Sequence, residues 1–120
     1  YQVSSARLRM LKKQYRITDK KVYDRAYRGG KRISGRYLIV FMRENEMPGS
    51  RFGFVTSKKT GKAVTRNLVK RRLRALVQQE LPQMKGNYDV VIVARYNIKE
   101  AEFAALKKDF LIVMRKAGLC

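Results

Sequence analysis

The sequence predicts a single α+β domain with the element order α-β-β-β-α-β-α. Its length of 120 residues suits one domain, and 45% of the residues are hydrophobic, enough for a core of its own. Two short apolar runs, Tyr37-Leu38-Ile39-Val40-Phe41-Met42 and Tyr88-Asp89-Val90-Val91-Ile92-Val93-Ala94, have the length and β-branched content of strands covered on both faces. Two longer stretches instead carry a helical period. Val69, Leu73, Leu76 and Val77 follow i, i+4, i+7, i+8, and Phe103, Leu106, Phe110 and Val113 form a second stripe of the same kind.

Taken in order, residues 1–15 carry Arg7, Arg9, Lys12 and Lys13 with little periodicity and read as a basic N-terminal arm, flexible or ordered by a partner. Residues 16–120 form the folded domain. Its first helix opens with Ile17 and Val22 as a hydrophobic staple around a Thr18 N-cap, with Asp19 in the first turn. Val22 and Ala26 stack at i,i+4, as do Tyr23 and Tyr27, and Gly29-Gly30 stops the helix. Lys31 to Ser34 adds a short strand before the apolar run at 37–42. Glu44 to Ser50, with Pro48-Gly49, is a loop, and Arg51 to Thr56 is a strand whose Phe52, Phe54 and Thr56 share a face. A helix then runs from about Lys62 to Glu80 and is broken by Leu81-Pro82 and Gly86-Asn87. After the strand at 88–94, a last amphipathic helix spans Lys99 to Ala117 and ends at Gly118.

Charge narrows the partner. Twenty-nine Lys and Arg face nine Asp and Glu, a formal net charge of +20. A chain so one-sided repels itself and is drawn to phosphate-rich surfaces. Each phosphate it neutralises adds roughly 0.7 to 0.9 to the slope of log affinity against log salt. Nucleic acid is favoured over an anionic membrane surface, and no stretch approaches the roughly 18 to 20 apolar residues of a spanning helix. The one cysteine, Cys120, leaves no intrachain disulfide framework or cysteine metal cage and suits a reducing cytoplasm.

Catalytic equipment is sparse. The chain has no histidine, the commonest general base and metal ligand. Its carboxylates are scattered. Glu100 and Glu102 are closest to a metal-ligand spacing, and at a helix start they read as complements of the macrodipole. A protein-held two-metal nuclease is not expected, nor any catalytic or metal-binding residue; chemistry would come from a partner.

The binding candidates centre on Arg66-Asn67-Leu68-Val69-Lys70-Arg71-Arg72-Leu73-Arg74. Arg66, Lys70 and Arg74 recur at i, i+4, i+8, with Asn67 and Arg71 beside them, so successive cations rise about 6 Å along the axis, near the phosphate spacing of a nucleic acid. Solvated helix faces usually mix signs, whereas no acid lies between Glu46 and Glu80. Ser57-Lys58-Lys59-Thr60-Gly61, ahead of Lys62, reads either as an anion-facing turn or as an ordinary exposed one. Tyr23 and Tyr27 read either as core residues or as faces on which unpaired bases stack.

At these residues a family resemblance enters. Ser57-Lys58-Lys59-x-Gly61-x-Ala63-Val64-x-Arg66-Asn67-x-x-Lys70-Arg71-x-x-Arg74 resembles the signature of the bacterial ribonuclease P protein subunit, and Asn87 to Arg95 resembles the strand that follows it. With the first helix included, the resemblance spans about residues 16 to 119. It implies the protein cofactor of a ribozyme that removes the 5′ leader of precursor tRNA, with Mg²⁺ held mainly by the catalytic RNA subunit. It further implies a sandwich on a mixed sheet, with a βαβ crossover of the unusual left hand, which general handedness would argue against. Carried over by position, Lys58, Lys59, Lys62, Arg66, Asn67, Lys70, Arg71 and Arg74 would contact RNA. Tyr23, Tyr27, Leu38 and Val40 would line the cleft for the single-stranded leader, with Phe41 facing away.

Two positions depart from the family pattern. Leu68 stands where the signature usually has an arginine, so that contact is dispensable or Arg72 replaces it; Val40 stands where the cleft often has an aromatic. The partners implied are ribonuclease P RNA and precursor tRNA, with no membrane and no protein partner required, in the cytoplasm. The alternative that composition alone favours is a basic ribosomal or RNA-chaperone-like protein.

Overall fold

The computed structural model describes residues 16–17, 20–45, 50–81 and 86–119. Its elements are α1 (Lys20–Gly29), β1 (Lys31–Ser34), β2 (Leu38–Glu44), β3 (Arg51–Val55), α2 (Ala63–Glu80), β4 (Tyr88–Ala94) and α3 (Phe103–Ala117). Short 3₁₀ turns follow β3 at Lys58–Thr60 and β4 at Tyr96–Glu100. The sheet order is β1-β2-β4-β3. The β1–β2 and β2–β4 pairs are antiparallel, whereas β3 and β4 run parallel with α2 as the crossover between them. The mixed α+β sheet and the element order expected from the sequence are both present. The basic arm at 1–15 and the Thr18 cap with Asp19 lie outside the described residues.

Strand alternation divides the core. One face of the sheet presents Leu38, Val40, Met42, Phe52, Val90 and Ile92, which pack with Val69, Leu73, Leu76 and Val77 of α2 and Leu106, Phe110, Val113 and Met114 of α3. The opposite face presents Val91 at full burial and Phe41, Val55 and Val93 at partial burial, under Val22 and Ala26 of α1. Helices therefore cover both sides, and the α2–α3 side holds the larger cluster. With more apolar side chains withdrawn from water at roughly 25 cal/mol per Å², this side contributes more to stability than the α1 side.

That parity corrects one expectation. Leu38 and Val40 do not join Tyr23 and Tyr27: both are fully buried on the α2–α3 side. Phe41, one residue on from Val40, is the side chain turned toward α1. The last helix also begins later than its periodicity suggests. Tyr96–Glu100 closes as a 3₁₀ turn, Ala101 is extended, and Glu102 takes the N-cap position of α3. Ile98 is buried in the main core at that turn, whereas Phe103, expected inward, is 38% exposed at the start of α3. The far end closes as expected. Gly118 adopts φ 79°, its N–H bonds the Arg115 carbonyl at 3.1 Å, and the Leu119 N–H bonds that of Met114 at 3.0 Å.

A buried acid fixes the β1–β2 hairpin. Asp109 on α3 is 8% exposed and accepts the backbone N–H groups of Arg36 and Tyr37, each at 2.9 Å. Hydrogen bonds to a charged acceptor stabilise more than neutral ones, and losing them leaves two part-buried donors unpaired. Asp109→Ala is expected to lower stability by about 3 kcal/mol in chemical denaturation, with Asp109→Asn intermediate.

Candidate nucleic-acid interface

Helix α2 carries the cation stripe where the spacing placed it. Its Val69, Leu73, Leu76 and Val77 are buried, and Asn67 and Arg71 project outward. Arg66, Lys70 and Arg74 line the border between the buried and exposed faces. Arg74 leans inward: its guanidinium lies 6.0 Å from the Phe54 ring on β3, and its Nε is buried with no hydrogen-bond partner. The helix start is electrostatically unusual. Lys62 takes the N-cap position without a side-chain cap bond, and the first turn contains no acid. Cations at the positive end of a helix dipole are mildly destabilising, which leaves that end suited to an anion from outside.

The Ser57–Gly61 segment forms a 3₁₀ turn that feeds this helix start. Thr60 is fully buried and anchors the turn, while Lys58 and Lys59 remain exposed. The two lysines therefore sit on a fixed turn beside α2. Leu68 is 37% exposed and outside the core, so no packing demand calls for an apolar side chain there.

Across the sheet, Tyr23 and Tyr27 occupy different environments. Tyr23 is built into the fold. Its hydroxyl donates to the Ile17 carbonyl at 3.3 Å, and its ring lies against Gly53, where an added Cβ would sit 2.5 Å from the hydroxyl oxygen. Ile17 in turn donates its N–H to the Phe52 carbonyl at 2.8 Å, so residues 16–17 and Tyr23 together close the outer edge of β3. Burial pushes the Tyr23 phenol pKa up, opposed by a backbone hydrogen bond from Phe54. Tyr27 is 39% exposed and meets Phe41 edge to face, with centroids 4.9 Å apart and planes at 88°. Burial raises its pKa as well, followed by the nearby Tyr23 and Asp24 charges. Both rings are neutral at pH 7, and Tyr27 offers an exposed apolar face without a charge that would repel phosphate.

Together Tyr27, Phe41, Val55 and Val93 make a half-buried apolar floor beside α1. It lies on the face of the sheet opposite the cation stripe: Arg74 sits over Phe54 on one face of β3, and Val55, with Tyr23 over Gly53, is on the other. At the opposite flank of α1, Asp89 accepts Arg51 Nε and Nη2 at 2.9 and 3.1 Å and Asn45 Nδ2 at 2.9 Å, tying the starts of β3 and β4 together.

Comparison with known proteins decides the family. The model for Ribonuclease P matches residues 11–118. This chain belongs to the ribonuclease P protein family. It is 46% identical over 110 residues to the ribonuclease P protein component of Syntrophomonas wolfei, covering 92% of each chain. A second relative, from Geobacillus sp., is 36% identical over 109 residues, covering 90% of this chain and 94% of the relative. Among solved structures, a Staphylococcus aureus RNase P protein mutant with defective mRNA degradation activity superposes with a TM-score of 0.86 at 27% identity, over 90% of this chain and 92% of that one. The RNase P protein from Thermotoga maritima gives 0.76 at 27% identity, over 83% and 96%.

Within this ribonuclease P fold, sequence reasoning missed Phe41 and Gly53. The resemblance turns Phe41 away from Tyr27, and an all-apolar strand carries no parity signal against which to check that carry-over. Gly53, inside a strand, was the available cue, since such a glycine often marks a close approach. Gly53→Ala is expected to push the Tyr23 ring off β3 and to lower stability by about 2 kcal/mol. Because the clash is with that ring, the effects of Gly53→Ala and Tyr23→Ala should be non-additive in denaturant titrations; simple additivity would contradict the contact.

Proposed function

We propose that this chain, as the protein subunit of ribonuclease P, binds the catalytic RNA through α2 and the Lys58–Thr60 turn and holds the 5′ leader of precursor tRNA on the Tyr27–Phe41 floor. The observation that carries this reading is a cation-bearing helix fixed to the core by Val69, Leu73, Leu76 and Val77, with a half-exposed aromatic floor on the opposite face of the same sheet. Phosphates of one RNA segment would lie along Arg66, Lys70 and Arg71, with Asn67 able to donate to a phosphate or 2′-hydroxyl. Unpaired leader nucleotides would reach the floor, where Tyr27 supplies an exposed aromatic face. Tyr23 positions the floor rather than stacking, because its ring is already engaged with Gly53.

In this reading the protein positions RNA and does not cut it. The described carboxylates with defined partners are structural: Asp89 holds Arg51 and Asn45, and Asp109 holds the hairpin amides. No group of three His, Cys, Asp or Glu side chains gathers among the described residues, so we assign Mg²⁺ mainly to the RNA subunit and route no step through a protein-held ion. When bound there, the metal supplies the charge stabilisation that hydrolysis of the leader phosphodiester requires. The chain's own contribution is proximity: neutralised phosphates and a leader held in one register. We place this work in the cytoplasm, without a further protein partner.

Addition of the protein to catalytic RNA and precursor tRNA at low Mg²⁺ is expected to increase correct 5′ cleavage, and no gain would overturn the reading. Arg66→Ala and Lys70→Ala should each weaken RNA binding and reduce the salt slope by about one phosphate contact. Tyr27→Ala should weaken leader-bearing precursor about tenfold while leaving mature tRNA unchanged. Equal losses for both RNAs would instead give Tyr27 a structural role.

A further inference from the structure

Because β3 and β4 are parallel, both leave the sheet at the same end, and each is followed by a 3₁₀ turn. The two turns, Lys58–Thr60 and Tyr96–Glu100, pack against each other, and both contact α2. The second turn carries Tyr96, which at 65% exposure is the most exposed aromatic side chain among the described residues. The residues around it are tightly held. Arg95 donates its N–H to the Tyr37 carbonyl at 2.9 Å, and Asn97 Nδ2 donates to the Arg36 carbonyl at 3.2 Å. Ile98, two residues on, is 2% exposed in the main core, and its N–H closes the turn on the Arg95 carbonyl at 3.1 Å. Tyr96 is thus an apolar ring held out in water by a rigid support, which needs little further ordering to bind.

The charges around it favour RNA. Lys58, Lys59, Lys62 and Lys99 are exposed on the two turns and the start of α2, against Glu100 and Glu102 on the same side of the chain. An exposed aromatic among excess cations is the combination that holds unpaired nucleotides, with stacking on the ring and attraction at the backbone. We propose that Tyr96 is a stacking platform for an unpaired base of the catalytic RNA, with Lys58 and Lys59 gripping the adjoining phosphates. The catalytic RNA rather than the leader is the occupant because this turn buries Ile98 on the α2–α3 side of the sheet, whereas the leader floor is on the α1 side. The inference rests on the RNA-binding reading of α2 and adds a contact that the cation stripe does not contain.

The test compares the full-length chain with its Tyr96→Ala and Tyr96→Phe variants, each titrated with catalytic RNA alone and with leader-bearing precursor tRNA alone. Tyr96→Ala is expected to weaken catalytic RNA binding about tenfold with an unchanged salt slope, and Tyr96→Phe to bind within about twofold of the parent. Thermal melting should be unchanged in both, since the ring is exposed. Parent-like binding by Tyr96→Ala would overturn the platform while leaving the α2 reading intact. An equal loss in Tyr96→Phe would replace stacking with a hydroxyl contact and overturn it too. A loss confined to the precursor would move the ring to the leader and overturn the assignment to catalytic RNA. If the parent chain binds neither RNA, the proposed function falls together with this inference.

Discussion

Strand β4 carries the constraint on which the rest of the molecule depends. It lies between β2 and β3, pairs antiparallel with one and parallel with the other, and its Val90, Val91 and Ile92 are all fully buried. A strand so placed must be covered on both faces, because water on either side would expose β-branched side chains and a central ladder. Its alternation sends Val90 and Ile92 to the helix pair α2–α3 and Val91 and Val93 to α1. Each surface considered for RNA follows from that division. The cation stripe is the outer face of a helix anchored on one side, and the aromatic floor is the part of the other side that the ten-residue α1 leaves uncovered. The parallel pairing with β3 also brings both strand exits, and with them the lysine turn and Tyr96, to one end.

The electrostatics run against the stability of the isolated chain. A helix of 18 residues that starts with a lysine at its cap, no acid in its first turn and a line of cations behind it is poorly matched to its own dipole. Asp89 and Asp109, by contrast, meet partners with good geometry and join segments distant in sequence. The contrast separates two uses of charge. Asp89 and Asp109 lock the scaffold, and Lys58, Lys59 and Arg71 are left facing outward, where a polyanion relieves their mutual repulsion. Local rules broken in one place while neighbouring rules are kept usually mark function rather than poor design.

Much of the fold was legible along the chain because its signals are local. Tyr88–Ala94 reads as a strand at its observed limits, since a β-branched run bounded by Gly86-Asn87 has few other options. Helix α2 was legible to within a residue from Val69, Leu73, Leu76 and Val77, and the same spacing placed Arg66, Lys70 and Arg74 on one border. The beginning of α3 was not legible: the stripe that reads Phe103 as inward and starts the helix at Lys99 meets a 3₁₀ turn at Tyr96–Glu100, and Phe103, at the first position of α3, is 38% exposed. The carry-over of Leu38 and Val40 to the cleft is contradicted by the fold, and the chain offers no local check on it. An unbroken apolar strand such as Leu38 to Met42 gives no alternation from which to choose a face.

The sequence by itself determined the elements, the excess of cations and their regular spacing on one helix, since these depend on residue type and period alone. Only the tertiary structure decided which face of β2 meets α1, and so that Phe41, not Leu38 or Val40, pairs with Tyr27. It also decided that Tyr23 is held by Gly53 and that Arg74 turns inward to Phe54. These are contacts between residues remote in the chain, set by how strands register and helices cross, and no local periodicity encodes them.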